Sequence, residues 1–194
     1  YEYLAKEASP SISRAYCLEP DSMDTNHPNS AHFPTQVLLV AQYAAESSRP
    51  NRDQLVVPQH IKEVVTAYLD KRRMIGTPLI VTEAEYLYVS IEGRIKLLDG
   101  ADQSVARQAI ENVLYTYIHP VSGGEGGKGW QFGKDLYIPD VINRIQSIPE
   151  VEYTLELNAV STNQNTGDKS PLSQHIEVRS TEILCSDTHV INFI

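Results

Sequence analysis

The sequence predicts an α+β fold: two small α/β units with antiparallel or mixed sheets covered by helices, plus a short β-rich C-terminal tail. Three observations carry this. Strand-like and helix-like segments mix without regular βαβ alternation. Each of the two long helical segments carries one apolar stripe, which needs a partner surface to bury it. The longest extended segment places Val89, Ile91, Gly93, Ile95 and Leu97 on one side and Ser90, Glu92, Arg94 and Lys96 on the other, the pattern of an antiparallel strand wet on one face.

The elements follow in order. Residues 1–9 read as a short helix whose Tyr3, Leu4 and Ala8 share a face, ended by Ser9-Pro10. Residues 11–20 read as a strand stopped by Pro20, and 21–35 as turns rich in Asp, Asn, Ser and Pro. "QVLLVAQY" (36–43) is short and apolar, as a buried strand is. After a loop at 44–54, residues 57–77 carry helix signals at both ends. Pro58 suits the first turn, and Ile61, Val64, Val65, Tyr68 and Leu69 form one stripe. Lys71-Arg72-Arg73 suits a last turn, where the dipole favours cations, and Gly76 suits a left-handed cap.

Residues 77–98 are extended. A second helix over 99–120 carries Ile110, Val113, Leu114, Tyr117 and Ile118 and ends at His119-Pro120. A third, over 137–149, carries Val141, Ile145 and Ile148. "VEYTLELNAV" (151–160) alternates, with Val151, Tyr153, Leu155 and Leu157 on one face. A polar linker, 161–173, leads to two or three short strands over 175–194. The expected organisation is a first unit at 1–84, a second at 85–160 that contains the glycine loop, and a linker and strand tail at 161–194.

Composition limits the partners. The 194 residues are 41% hydrophobic and 21% charged, which is ordinary globular usage. A net charge of −9 and a longest basic run of three residues disfavour nucleic acid and anionic membrane surfaces. The longest apolar run, Val37–Ala41, is far short of a membrane helix. Two cysteines make no disulfide scaffold and fit synthesis in a reducing compartment. The chain begins at Tyr1 without Met and without a signal-peptide pattern, as a fragment or processed product would.

The densest local signal is "GGEGGKGWQFG" (123–133), with six glycines, the only tryptophan and one of three phenylalanines. A phosphate-binding loop of the G-x-x-x-x-G-K-[ST] type is excluded: Ser122 stands where the first glycine belongs, and Gly129 where the hydroxyl belongs. Gly124, Gly126 and Gly129 match G-x-G-x-x-G in spacing, but they follow a helix, whereas the motif works between a strand and a helix start. Glycine permits tight turns and close backbone approach, and Trp130 and Phe132 bring large apolar area. Gly123, Gly124, Gly126, Gly127, Gly129, Trp130, Phe132 and Gly133 therefore read as a structural or interaction loop, its aromatics plugging their own core or gripping a partner.

Other chemistry is absent from the pattern. The six histidines form no i, i+4 pair, Cys17 and Cys185 belong to no CxxC, and no G-x-S-x-G elbow occurs. Asp21, Asp24 and Asn26 resemble the start of a calcium loop but lack its glycine and distal glutamate, so they read as a turn. No cofactor or metal is expected. Two rival readings remain on residues alone: a nucleotide-binding enzyme using 123–133, and a carbohydrate- or cell-surface-binding module stacking Trp130 and some of the 11 tyrosines on sugar.

Three stretches also carry a family likeness, in matching order. They are "YEYLAKEASPSISRAYCLEP", "IKEVVTAYLDKRRMIGTPLIVTEAEYLYVSIEGRI" and "YTYIHPVSGGEGGKGWQFGKDLYIPDVINRIQSIPEVEY". Together they resemble the C-terminal part of the baseplate J-like proteins, wedge components of contractile phage tails and related contractile injection systems. The larger variants, the baseplate assembly proteins, are most similar. The Gly129–Gly133 block is the most specific part; Pro149-Glu150-Val151, where a glycine often precedes the valine, departs mildly, and 161–194 is similar only loosely. The resemblance implies a non-enzymatic wedge subunit of a sixfold baseplate, a hetero-oligomer with other wedge subunits and sheath- or tube-proximal proteins. It would couple baseplate change to sheath contraction, without nucleic acid or membrane insertion. It would be made in the cytoplasm and end in an assembled particle.

Overall fold

The computed structural model describes residues 1–18, 34–43, 49–164 and 166–194. The fold is α+β, with helices and mixed sheets. The chain divides into two compact units, Tyr1–Ala44 with Asn51–Ala84, and Ala45–Pro50 with Glu85–Ile194.

In the first unit α1 (Glu2–Ala8) leads into β1 (Ile12–Leu18), which pairs antiparallel with β2 (Thr35–Ala41). α2 (Gln59–Asp70) then crosses over to β3 (Leu79–Glu83), parallel to β2. A helix is the usual way to join parallel neighbours, which no tight turn can link. The sheet order is β1-β2-β3. Its core joins Ala5 of α1, Val37, Leu39 and Ala41 of β2, and Val65 and Leu69 of α2.

Several expectations change here. Ala5 is the buried residue of α1, while Tyr3 is 77% exposed. Val64 stands half out of the α2 stripe. α2 stops at Asp70, so Lys71, Arg72 and Arg73 follow the helix, and Pro58 is its N-cap residue. Gly76 (φ +87°) turns the chain further on, where Thr77 N–H donates to the Met74 carbonyl. The Asp21, Asp24 and Asn26 turn, and the end of the 11–20 strand, lie outside the described residues.

The second unit contains, in chain order, β4 (Glu85–Leu97), α3 (Gln103–Tyr117), β5 (Leu136–Tyr137), α4 (Ile138–Gln146), β6 (Val151–Asn163), β7 (His175–Ile176), β8 (Glu182–Ser186) and β9 (Val190–Phe193). β4 is central. β6 runs antiparallel along one edge. On the other edge β8 pairs parallel with Glu85–Val89, and β9 parallel with Glu92–Ile95. The sheet is therefore mixed, although the β4 alternation alone suggests an antiparallel one. Val89, Ile91, Ile95 and Leu97 are buried and Arg94 is exposed, so the alternation itself holds; between Tyr86 and Val89 both faces are buried.

α3 begins where Asp102 Oδ1 accepts the Ser104 N–H at 2.7 Å, a side-chain cap. It buries Ala106, Ile110, Leu114 and Tyr117, and α4 buries Ile138, Val141 and Ile145.

β6 departs most from its sequence pattern. Val151 and Leu157 are buried, but Tyr153 is 41% exposed. Two register shifts explain this. Val151 faces Leu97 and Tyr153 faces Lys96, so Glu152 is an extra residue; Leu155 faces Arg94 and Asn158 faces Glu92, so Glu156 and Leu157 together face Gly93. Each bulge inserts one residue and reverses which side chains point inward. Gly93 is required at the second: a Cβ there would lie 2.9 Å from both the Glu156 carbonyl oxygen and Leu157 Cα. Glu156 takes the left-handed conformation (φ +50°), uncommon for a residue with a side chain. The expected linker is also ordered in part: β6 continues to Asn163, and the returning chain bridges Thr162 with Lys169 and Ala159 with Ser173.

Candidate functional site

The glycine loop begins where α3 ends. Ile118 leaves helical geometry (φ −91°, ψ 63°), and His119 turns inward to 1% exposure. Its Nδ1 accepts the N–H groups of Val121 at 3.1 Å and Ser122 at 3.0 Å, with Ser122 Oγ also 3.1 Å away. Two backbone donors on Nδ1 place the imidazole proton on Nε2. Burial lowers the His119 pKa to about 4, so the ring is neutral near pH 7.

The backbone then closes on itself. Gly123 and Trp130 both donate their N–H to the His119 carbonyl, each at 3.0 Å; Gly124 donates to Tyr117 at 2.8 Å and Gly129 to Gly123 at 3.0 Å. A Cβ on Gly123 would overlap the Tyr117 carbonyl and the His119 amide, so only glycine fits there. Gly126, Gly127 and Lys128 form the exposed outer turn.

Both aromatics plug their own unit. Trp130 is 1% exposed and Phe132 6%. The indole N–H donates to the Lys134 carbonyl at 2.7 Å, and the ring meets Tyr117 edge-on at 5.2 Å. Arg144 of α4 lies 3.9 Å over the Tyr117 ring. Lys134 pairs with Glu125 at 3.0 Å, and Gly133 N–H reaches the Glu182 carbonyl at 3.2 Å. The loop thus ties the end of α3 to β8, and Arg144 of α4 packs on that same end of α3.

Two features give no signal in the sequence. Asp135, just past the loop, accepts from Val178 N–H at 2.9 Å and contacts His175 Nε2 at 2.9 Å, with Tyr137 stacked on that imidazole at 4.6 Å. Burial raises the Asp135 pKa, but the hydrogen bonds from His175 and Val178 outweigh it and hold the carboxyl below its ordinary value. His189 Nδ1 accepts the Ile91 N–H at 3.0 Å, filling the gap in the β4 ladder between β8 and β9. Its Nε2 then carries the proton and donates to Ser186 Oγ at 2.8 Å, so this buried pair has the wrong tautomer to activate a serine. Asp135 with His175 and Val178, and Ile91 with His189, are partners 40 or more residues apart, which local spacing cannot reveal.

The amides of Gly123, Gly124, Gly129 and Trp130 are committed to carbonyls, and the loop joins a helix end to a strand. Among the described residues no three His, Cys, Asp or Glu side chains gather around a possible metal position, and no helix is long and apolar enough to cross a membrane.

Comparison with solved structures adds one fact. The chain shares its fold with a baseplate chain. That chain belongs to the cryo-EM structure of the anti-feeding prophage baseplate, 6-fold symmetrised; the TM-score is 0.59 at 12% identity, over 96% of this chain. The present chain spans 36% of that neighbour's length. No protein-family model matches the chain, and no curated protein matches its sequence.

Proposed function

We propose that the chain is part of a structural baseplate subunit of a contractile injection machine, a wedge component acting through protein–protein contacts around a tail tube. The observation that carries this is the fold likeness to the anti-feeding prophage baseplate chain, which extends over 96% of the present chain. The sequence resemblance to the J-like wedge proteins, strongest at Gly129–Gly133, supports the finer assignment.

In this reading the 123–133 loop is a brace. A subunit that transmits a rearrangement needs elements that move as one body, and a loop tying the end of α3 to β8 supplies such stiffness. The partners are other wedge subunits and sheath- or tube-proximal proteins in a sixfold hetero-oligomer, and the subunit ends in an assembled particle. It takes no cofactor and performs no catalysis. The committed amides disfavour a phosphate cradle, and Trp130 at 1% exposure offers no ring face to a sugar.

Deletion of the full-length gene from the cell that makes the particles tests this. Negative-stain images should then lack tubes bearing a sixfold plate, and wild-type complementation should restore them. Plate-bearing particles assembled without the protein would refute the proposal.

A further inference from the structure

The turn between α2 and β3 is apolar at its tip and basic at its foot. Ile75 is 105% exposed and Met74 71%, although a surface connection between Asp70 and Leu79 has no need of two large aliphatic side chains. Lys71, Arg72 and Arg73 precede them. Arg72 lies 3.6 Å over the Tyr68 ring and donates to the Tyr68 carbonyl at 3.1 Å; Arg73 donates to the Thr77 carbonyl at 2.8 Å and pairs with Asp70 at 3.0 Å. Both guanidinium groups are held in place, and each has five N–H donors, more than these bonds use.

The same unit holds a surface of opposite character. An open cleft of about 690 Å³ lies between α2 and β3. Ala67 and Val81 line it with the carboxylates of Glu63, Asp70 and Glu83. Asp70 is paired with Arg73 of the same chain and Glu83 lies 4.0 Å from Lys62, so three carboxylates face two cations. The turn does not occupy this cleft in its own chain, because Ile75 is fully exposed.

We infer that the Met74–Ile75 turn of one copy docks into the α2–β3 cleft of a second copy. The aliphatic tips fill the cleft, and Lys71 and Arg72 meet Glu63 and Glu83. Local charge complementarity favours this occupant: Lys71 and Arg72 belong to the densest cationic run in a chain of net charge −9, and apart from the Asp70–Arg73 pair the cleft sets Glu63 and Glu83 against Lys62 alone. Two different patches meet, so the contact is heterologous, and repetition closes a ring or runs into an open chain. This inference rests on the assembly reading above and names one of its contacts.

Sedimentation equilibrium of the 194-residue chain tests it across micromolar to millimolar concentrations. The wild type should exceed the 21.7 kDa of one chain as concentration rises, and molar salt should weaken the association. The double variant Met74→Ser, Ile75→Ser removes the plug, and Ala67→Arg blocks the cleft. Both changes lie at exposed positions, and unchanged near-UV circular dichroism checks the fold. Each variant alone should associate at least about tenfold more weakly. Their equimolar mixture should form a 1:1 dimer that grows no further, since each supplies the surface the other has lost. A wild type monomeric throughout, variants that associate like wild type, or a mixture that stays monomeric would each overturn the docking. If that happens while sixfold plates still require the full-length protein, the baseplate reading stands and this contact alone is wrong.

Discussion

Trp130 has its ring sealed between Tyr117 and the surrounding core, and its N–H is held by Lys134. Trp130→Ala or Phe132→Ala should lower unfolding free energy by about 3–5 kcal/mol in denaturant titration. Trp130→Phe keeps most of the packing but leaves the Lys134 carbonyl without its donor, and should cost about 1–3 kcal/mol. His119 and His189 give the chain an acid limit. Unfolded imidazoles titrate near 6.5, and both folded ones near 4. Between those values the unfolded state binds more protons, so stability is complete above about pH 6.5 and falls as pH drops toward 4. The loss approaches roughly 3 kcal/mol per histidine. Urea midpoints at pH 7 and 4.5 check this: wild type should fall, and His119→Gln should fall less. Equal wild-type midpoints would contradict it. The sequence displayed the aromatic anchors but not their direction, and nothing near His119 announced that its ring would accept two backbone amides.

Element by element, β6 separates what periodicity can reveal from what it cannot. The alternation over 151–160 marks a strand correctly, but two bulges reverse its faces, and the second is formed by Glu156, not by a glycine that would have marked it. Gly93→Ala should destabilise by about 2–3 kcal/mol in thermal melts, because the new Cβ meets backbone. Glu156→Gly should stabilise by up to about 1 kcal/mol, since relief of the left-handed strain outweighs the Arg94–Glu156 pair, whose two side chains are largely exposed. Helices were legible from their apolar stripes, as with Ile110, Leu114 and Tyr117 of α3. Their ends were less so: α2 stops before its basic triplet, where the Arg72 guanidinium caps the Tyr68 carbonyl.

For the whole molecule, the α+β class and the sequence of elements followed from hydrophobic periodicity, while the sheet order did not. β8 and β9 are too short to show alternation, and their parallel pairing with β4 depends on long connections. The sequence argues against a phosphate cradle at 123–133 because the loop follows a helix, and the amides of Gly123, Gly124, Gly129 and Trp130 meet carbonyls. Titration with ATP, GTP or NAD at millimolar concentration should accordingly give no binding heat, and saturable heat lost with Lys128→Ala would contradict the brace. The central claim concerns assembly. A sixfold-averaged cryo-EM map of particles from cells making the full-length protein tests it most directly. The account predicts six or a multiple of six copies of this fold in the plate at the end of the tube, with Trp130 and Phe132 inside each copy. Particles whose plate contains no density for the fold, or lacks the protein altogether, would contradict it.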